Sequence, residues 1–165
     1  MTAPSPKLVC IIGAESTGKT TLAQQLAAHF HAPWVPEYLR EFCDAHQRTP
    51  TQHEQALILE TQVIHERAAF LDAQRSGAPY VFCDTAPLLT AVYSDHVFGD
   101  ASLYPLAQDL HARYALTLWL EPDIPWVADG LQREGSQQRA AVHARIEQAL
   151  GALQLPYVRL TGSLK

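Results

Sequence analysis

The sequence lacks the features that place a chain in a membrane, outside the cell or on a nucleic acid. No stretch approaches the roughly 20 consecutive apolar residues of a membrane-spanning helix. The start of the chain also lacks the charged and apolar regions of a signal peptide. The net charge of −5 speaks against the basic surface that binds nucleic acid or anionic lipid. We therefore expect a protein with neither a nucleic-acid nor a membrane partner.

Residues that could form disulfides or hold a metal are few or scattered. Cys10, Cys43 and Cys83 form no C-x-x-C pair, which is typical of reduced thiols in a cytoplasmic protein. The eight histidines lie apart and show no zinc-type spacing beside the cysteines. The sequence thus indicates a cytoplasmic protein whose histidines serve structural or surface roles.

What the sequence does contain is an alternation of short apolar runs and helical patterns, which is typical of a layered α/β fold. The length of 165 residues suits one domain, and no linker divides residues 1–165. The apolar runs predict strands at 7–12, 34–35, 80–84, 116–120 and 157–160. Helices are predicted at about 18–31, 51–75 and 137–153, and another begins near Thr85 and Pro87. Because helical crossovers join the strands, we expect a five-stranded, mostly parallel sheet with helices on both faces.

Residues 13–20, Gly-Ala-Glu-Ser-Thr-Gly-Lys-Thr, match the phosphate-binding pattern G-x-x-x-x-G-K-[ST] between a predicted strand and a predicted helix. Gly13 and Gly18 let the backbone curl so that its N–H groups and the helix N-terminus point at an anion. Lys19 is expected to reach the β- and γ-phosphates, and Thr20 to offer its hydroxyl to Mg²⁺. ATP and Mg²⁺ are therefore the predicted cofactors. The predicted nucleotide-binding residues are Gly13, Ala14, Glu15, Ser16, Thr17, Gly18, Lys19, Thr20 and Thr21.

Two carboxylates follow predicted strands, at the edge where ligands gather in open α/β sheets. Asp84 ends the strand at 80–84 and is expected to hold Mg²⁺, directly or through water. It could also cap the helix that follows. Glu37 follows the strand at 34–35 and could hold a substrate hydroxyl and act as base. Its alternative is an ordinary solvated glutamate in the first turn of a helix.

The segment 122–130 leads into a polar stretch that carries Arg133, Arg139 and Arg145. Small-molecule kinases often close such an arginine-bearing segment over ATP, which excludes water and neutralises the transferring phosphoryl group. A surface loop with solvated arginines is the alternative on this evidence.

Several segments, taken in order, resemble the ribosylnicotinamide kinase domain of the NadR family. They are 13–22, 35–40, 84–85 with Thr90 and 93–94, 98–99, and 122–130, and the likeness runs from about residue 7 to residue 160. The Pro-Glu-Tyr at 36–38 and the Asp-Ile-Pro-Trp-Val-Ala-Asp-Gly at 123–130 are more specific than the phosphate loop. One departure concerns the lid, where the family usually reads Asp-Gly-Leu-Arg. Here Gln132 replaces that arginine and Arg133 follows it.

The resemblance implies a three-layer P-loop kinase fold with a lid at about 126–140. It also implies an activity: transfer of the ATP γ-phosphate to the 5′-hydroxyl of nicotinamide riboside, giving nicotinamide mononucleotide in NAD salvage. Only twelve residues precede Gly13, and no adenylyltransferase-type H-x-G-H is present, so a stand-alone kinase is expected.

The same resemblance implies roles for individual residues. Glu37 is the first choice to accept the 5′-hydroxyl proton and Asp84 the second. The cationic nicotinamide ring suits an aromatic face or a carboxylate. The implied catalytic residues are Lys19, Glu37, Asp84, Arg133 and Arg139. The implied substrate contacts are Glu37, Tyr38, Asp84, Tyr93, Trp126 and Asp129, with Mg²⁺ on Thr20 and Asp84.

There are three alternatives to this function, and the sequence argues against the third. A kinase for another nucleoside or vitamin would share everything except the base contacts. A non-catalytic regulatory module would bind ATP but release no ADP in response to an acceptor. A GTPase would carry an N-K-x-D-like guanine motif, and none is present. The oligomeric state is not indicated by the sequence.

Overall fold

Five parallel strands form one sheet in the computed structural model, which describes residues 4–15, 17–122 and 136–161. The strands are β1 (Lys7–Ile12), β2 (Trp34–Val35), β3 (Tyr80–Asp84), β4 (Tyr114–Leu120) and β5 (Val158–Leu160). Their order is β2-β3-β1-β4-β5, so β1 is central. All four neighbouring pairs are parallel. The predicted five-stranded parallel sheet is therefore confirmed.

Six described helices connect or flank the strands. They are α1 (Lys19–Phe30), α2 (Tyr38–His46), α3 (Gln55–Ser76), α4 (Pro87–Phe98), α5 (Tyr104–His111) and α6 (Ser136–Ala152). A short 3₁₀ turn, Gln52–Glu54, precedes α3, and the backbone N–H of Thr51 donates to Glu54 Oε1 at 2.9 Å. Thr51 and Glu54 thus form a capping box at the start of the helical segment predicted for 51–75. None of the described helices is both long and apolar enough to cross a lipid bilayer.

The structure corrects the predicted elements in a few places. The fourth strand begins at Tyr114 and not at residue 116, and the fifth begins at Val158 and not at residue 157. Two short helices were not predicted from the sequence, α2 with nine residues and α5 with eight. Both helices are shorter than the window of roughly 11 residues over which a helical period becomes clear in a sequence.

Helices cover both faces of the sheet because alternate residues of β1 point to opposite sides. Val9 and Ile11 pack against α1. Leu8, Cys10 and Ile12 belong to the larger core, which α3, α4 and α6 share. The result is the three-layer α/β arrangement of P-loop kinases, with β1 buried on both faces. The carboxyl ends of all strands meet at one edge, and β1 delivers the phosphate loop to the middle of that edge.

A buried polar cluster closes the opposite edge of the sheet. Glu66 of α3 is completely buried, and the Tyr114 hydroxyl lies 2.8 Å from each of its carboxylate oxygens. Arg113 Nη2 donates to Glu66 Oε1 at 3.0 Å. Burial raises the pKa of Glu66, and the Arg113 charge and the Tyr114 hydroxyl partly offset that rise. This cluster ties α3 to the start of β4.

Tyr114→Phe is expected to lower the free energy of unfolding by about 1–3 kcal/mol, because a buried carboxylate loses its hydroxyl donor. The pKa of Glu66 should rise further in the folded variant. A carboxyl with a raised folded-state pKa binds its proton more tightly in the folded than in the unfolded chain, so the penalty grows as pH rises above the unfolded-state pKa. Urea unfolding should therefore show a larger loss at pH 7 than near pH 4.5. Tyr157→Phe, at an exposed tyrosine, is the control, and an equal small effect of both changes would contradict the role of the cluster.

Candidate active site

The loop after β1 is folded around the lysine that the motif singled out. Lys19, the first residue of α1, is 4% exposed, and its ammonium donates to the carbonyl oxygens of Gly13 and Ala14, each at 3.1 Å. Thr17 Oγ1 donates to the Ala14 carbonyl at 2.8 Å. A Cβ on Gly13 would lie 2.8 Å from Thr17 Oγ1, and Gly18 has a φ of 92°. Both glycines are therefore required by the tight course of the loop.

Beside the loop, a hydroxyl and a carboxylate meet. Thr20 Oγ1 donates to Asp84 Oδ2 at 2.5 Å, and Asp84 is 1% exposed at the end of β3. Thr85, which follows, has a φ of 99°, a strained value for a residue with a β-branched side chain. The structure therefore brings together Thr20 and Asp84, the two residues predicted to hold the metal. Hydroxyl and carboxylate oxygens are hard donors that suit Mg²⁺. In the described ranges no group of three or more His, Cys, Asp or Glu side chains forms a metal-binding cluster.

Glu37 lies at the same edge and is buried, with only 5% of its surface exposed. It sits between β2 and α2, and β2 pairs with β3 so that Val35 is opposite Cys83. Glu37 and Asp84 therefore leave neighbouring strands at the same edge. Burial of Glu37 contradicts the alternative in which it is an ordinary solvated residue.

The residue that holds the backbone around Glu37 is not one of those predicted from the sequence. Gln62 of α3 is 2% exposed, and its side-chain oxygen accepts the Tyr38 backbone N–H at 2.8 Å. Its side-chain nitrogen donates to the Pro36 carbonyl at 3.4 Å. One amide thus clamps the chain on both sides of Glu37. A glutamine inside a long helix carries no sequence signal for this role, because its partners lie 24 and 26 residues away.

Two adjoining cavities open next to these carboxylates. One is lined by Glu37, Thr85, Thr90 and other residues, and the second by Glu15, Phe98 and others. Tyr93, Leu39 and Gln55 line both. Tyr93, a predicted substrate contact, therefore lies where the two cavities meet. We call this pair of cavities the acceptor groove.

A hydrogen-bonded chain joins α6 to α4 along the outer wall of the acceptor groove. Arg145 donates through Nη1 to Asp95 Oδ2 at 3.0 Å and through Nε to His96 Nδ1 at 3.1 Å. His96 Nε2 lies 2.5 Å from Gln138 Oε1. His96 thus accepts from Arg145 at Nδ1, and its other ring nitrogen faces the Gln138 side chain. Arg145 thus supports the wall of the groove.

The other residues named from the sequence fall in several places. The Tyr38 ring packs edge-to-face on His65, with centroids 5.5 Å apart, and also contacts Phe42. Thr21 lies on the exposed side of α1, and Arg139 lies half-buried in the first turns of α6. Ser16, Trp126, Asp129 and Arg133, with most of the predicted lid, lie outside the described residues.

This geometry defines a P-loop nucleotide-binding protein with the three-layer α/β fold of P-loop kinases. The phosphate loop leaves the central strand, its lysine opens the next helix, and a threonine and an aspartate meet beside it. The chain belongs to the family described as AAA domain (AAA_28), whose model matches residues 8–165.

Curated relatives extend the comparison. The trifunctional NAD biosynthesis/regulator protein NadR of Escherichia coli (strain K12) is 30% identical over 136 residues, which cover 79% of this chain and 32% of that protein. The chain thus spans about a third of the length of the curated relatives it matches. The resemblance to the NadR family inferred from the motifs is confirmed.

Solved structures agree with this assignment. A crystal structure of NadR in complex with NR superposes with a TM-score of 0.76 and 27% identity, over 94% of this chain and 44% of that one. NadR in complex with NAD and AMP-PNP gives a TM-score of 0.76 and 26% identity, over 95% and 44%. Deoxyadenosine kinase from M. mycoides, at 10% identity and a TM-score of 0.60 over 94% and 90%, shares the fold.

Proposed function

We propose that this kinase transfers the γ-phosphoryl group of ATP to the 5′-hydroxyl of nicotinamide riboside, giving nicotinamide mononucleotide for NAD salvage. The observation that carries the proposal is the buried Glu37, which faces a groove next to the phosphate loop and leaves the sheet edge beside Asp84. The similarity to NadR, which has been crystallised with NR and with AMP-PNP, supports the choice of donor and acceptor.

Phosphoryl transfer depends mainly on positioning and on neutralising charge, and the donor side of the site is built for both. The loop N–H groups and Lys19 hold the β- and γ-phosphates. Thr20 and Asp84 would hold Mg²⁺, which supplies positive charge to the phosphates when bound. Lys19 lies against two carbonyls of its own loop, so only a short movement of its ammonium is needed to meet a phosphate oxygen. Arg139 and Arg133 are proposed to add positive charge from the lid.

On the acceptor side, Glu37 orients the ribose and accepts the proton of the 5′-hydroxyl as the new O–P bond forms. Its backbone is fixed by Gln62, so the carboxylate is pre-positioned and pays little entropy on binding. Asp84 is tied to Thr20 at 2.5 Å, which suits a metal ligand better than a base.

An ADP-release assay across acceptors tests the proposal. Nicotinamide riboside should give a kcat/KM about tenfold above that of uridine, adenosine or a deoxynucleoside, because a close contact between a cation and an aromatic face is worth roughly 0.5–2 kcal/mol. Uridine used as well as nicotinamide riboside would leave a kinase with a different acceptor. ATP binding without any acceptor-dependent ADP release would instead indicate a regulatory module.

A further inference from the structure

Glu15 is an acidic residue of the phosphate loop whose side chain does not face water. Only 5% of its surface is exposed, and its Oε2 atom has no hydrogen-bond partner among the described residues. A carboxylate buried in this way is costly unless a cation or a hydrogen-bond donor meets it. The side chain lines the acceptor groove, so a ligand in the groove can supply that partner.

The chemistry around Glu15 favours a cation. Its part of the groove is mostly apolar, with Leu39, Val97 and Phe98 in its walls, and Tyr93 adds a second aromatic ring. No lysine or arginine is among the described residues that line this part. His96 also lines it, with its two ring nitrogens facing Arg145 and Gln138. Among the described residues, this wall therefore offers one acidic group, several apolar surfaces and no lysine or arginine.

A role for Glu15 in holding ATP would place a negative charge against negative phosphates, which costs binding energy. The ribose hydroxyls have Glu37 at the other end of the groove, where Thr85 and Thr90 add polar groups. The larger of the two cavities, which Glu15 lines, is left for the base of the acceptor.

We propose that Glu15 recognises the positive charge of the acceptor's ring, so that the kinase selects ribosides of a cationic, flat, aromatic base. The inference rests on the proposed function and adds the residue that sets its specificity. A pyridinium ring would lie between the apolar walls with its charge against the Glu15 carboxylate, which removes the cost of burying that carboxylate alone.

The test compares nicotinamide riboside with 1,4-dihydronicotinamide riboside, which has nearly the same shape but an uncharged ring. The native enzyme should favour the cationic riboside by about 10- to 100-fold in kcat/KM, the range expected for an interaction with a buried charge. Glu15→Gln keeps the size and polarity of the side chain and removes its charge. In this variant the preference should fall to about threefold or less, mainly through a higher KM for nicotinamide riboside.

Glu60→Gln, on the exposed side of α3, is the matched control and should keep the native preference. Because the measured quantity is a ratio between two acceptors, a general loss of activity in the loop variant does not affect it. Equal loss toward both acceptors in Glu15→Gln, with the ratio kept, would overturn the inference and assign Glu15 to positioning of the phosphates or ribose.

Measurements on the native enzyme distinguish charge selection from the proposed kinase activity. Equal use of the cationic and neutral ribosides would refute charge selection and leave the proposed riboside kinase intact. Failure to phosphorylate either riboside, with ATP still bound, would refute the proposed function and the inference together.

Discussion

Lys19→Ala is expected to lower kcat by about 10²- to 10³-fold while the protein stays folded, because one preorganised positive charge at the transferring phosphoryl group is lost. The ammonium is buried and donates to the Gly13 and Ala14 carbonyls, and a water molecule that took its place in the variant would carry no positive charge. Single-turnover ADP release measures the chemical step, and thermal unfolding checks the fold.

Lys7→Ala is the control for this change, since Lys7 is exposed at the start of β1, the end away from the phosphate loop. Near-native turnover in Lys19→Ala would show that phosphoryl transfer takes place elsewhere. A protein that fails to fold would be replaced by Lys19→Met, which keeps most of the apolar stem.

Glu37→Gln is the second change with a large expected effect. It should lower kcat by about 10²- to 10⁴-fold, the range for loss of a general base, and leave ATP affinity near the native value. The reason is that Glu37 lines the acceptor groove, whereas the phosphate loop belongs to β1 and α1. Steady-state kinetics with nicotinamide riboside, together with direct measurement of ATP binding, separates the two effects.

Asp84→Asn gives the comparison that distinguishes the two carboxylates. It should raise the Mg²⁺ concentration needed for half-maximal rate, because Asp84 and Thr20 are the proposed metal ligands. Glu37→Gln should leave that concentration unchanged. If Glu37→Gln shifts the Mg²⁺ dependence and Asp84→Asn mainly lowers kcat, the two roles must be exchanged.

The local parts of the protein could be predicted from its sequence. The phosphate loop requires Gly13, Gly18, Lys19 and Thr20 at fixed spacing, because eight consecutive residues wrap one anion. The buried strands appear as apolar runs, since β1 is covered on both faces. The long helices appear through their caps, such as the Thr51–Glu54 box, and through the stop at Gly77, which has a φ of 77°.

The tertiary structure alone decided which side chains share the site, how deeply they are buried and which partners they contact. It placed the Glu15 side chain in the acceptor groove, buried Glu37 under the clamp of Gln62, and joined Asp95, His96, Gln138 and Arg145 into one wall. It also enclosed Glu66 with Tyr114, 48 residues away. Periodicity and capping report only neighbours along the chain, whereas burial and pairing arise when distant elements pack. The sequence therefore predicted the phosphate-binding loop, and the packing of α3, α4 and α6 determined the shape and charge of the groove beside it.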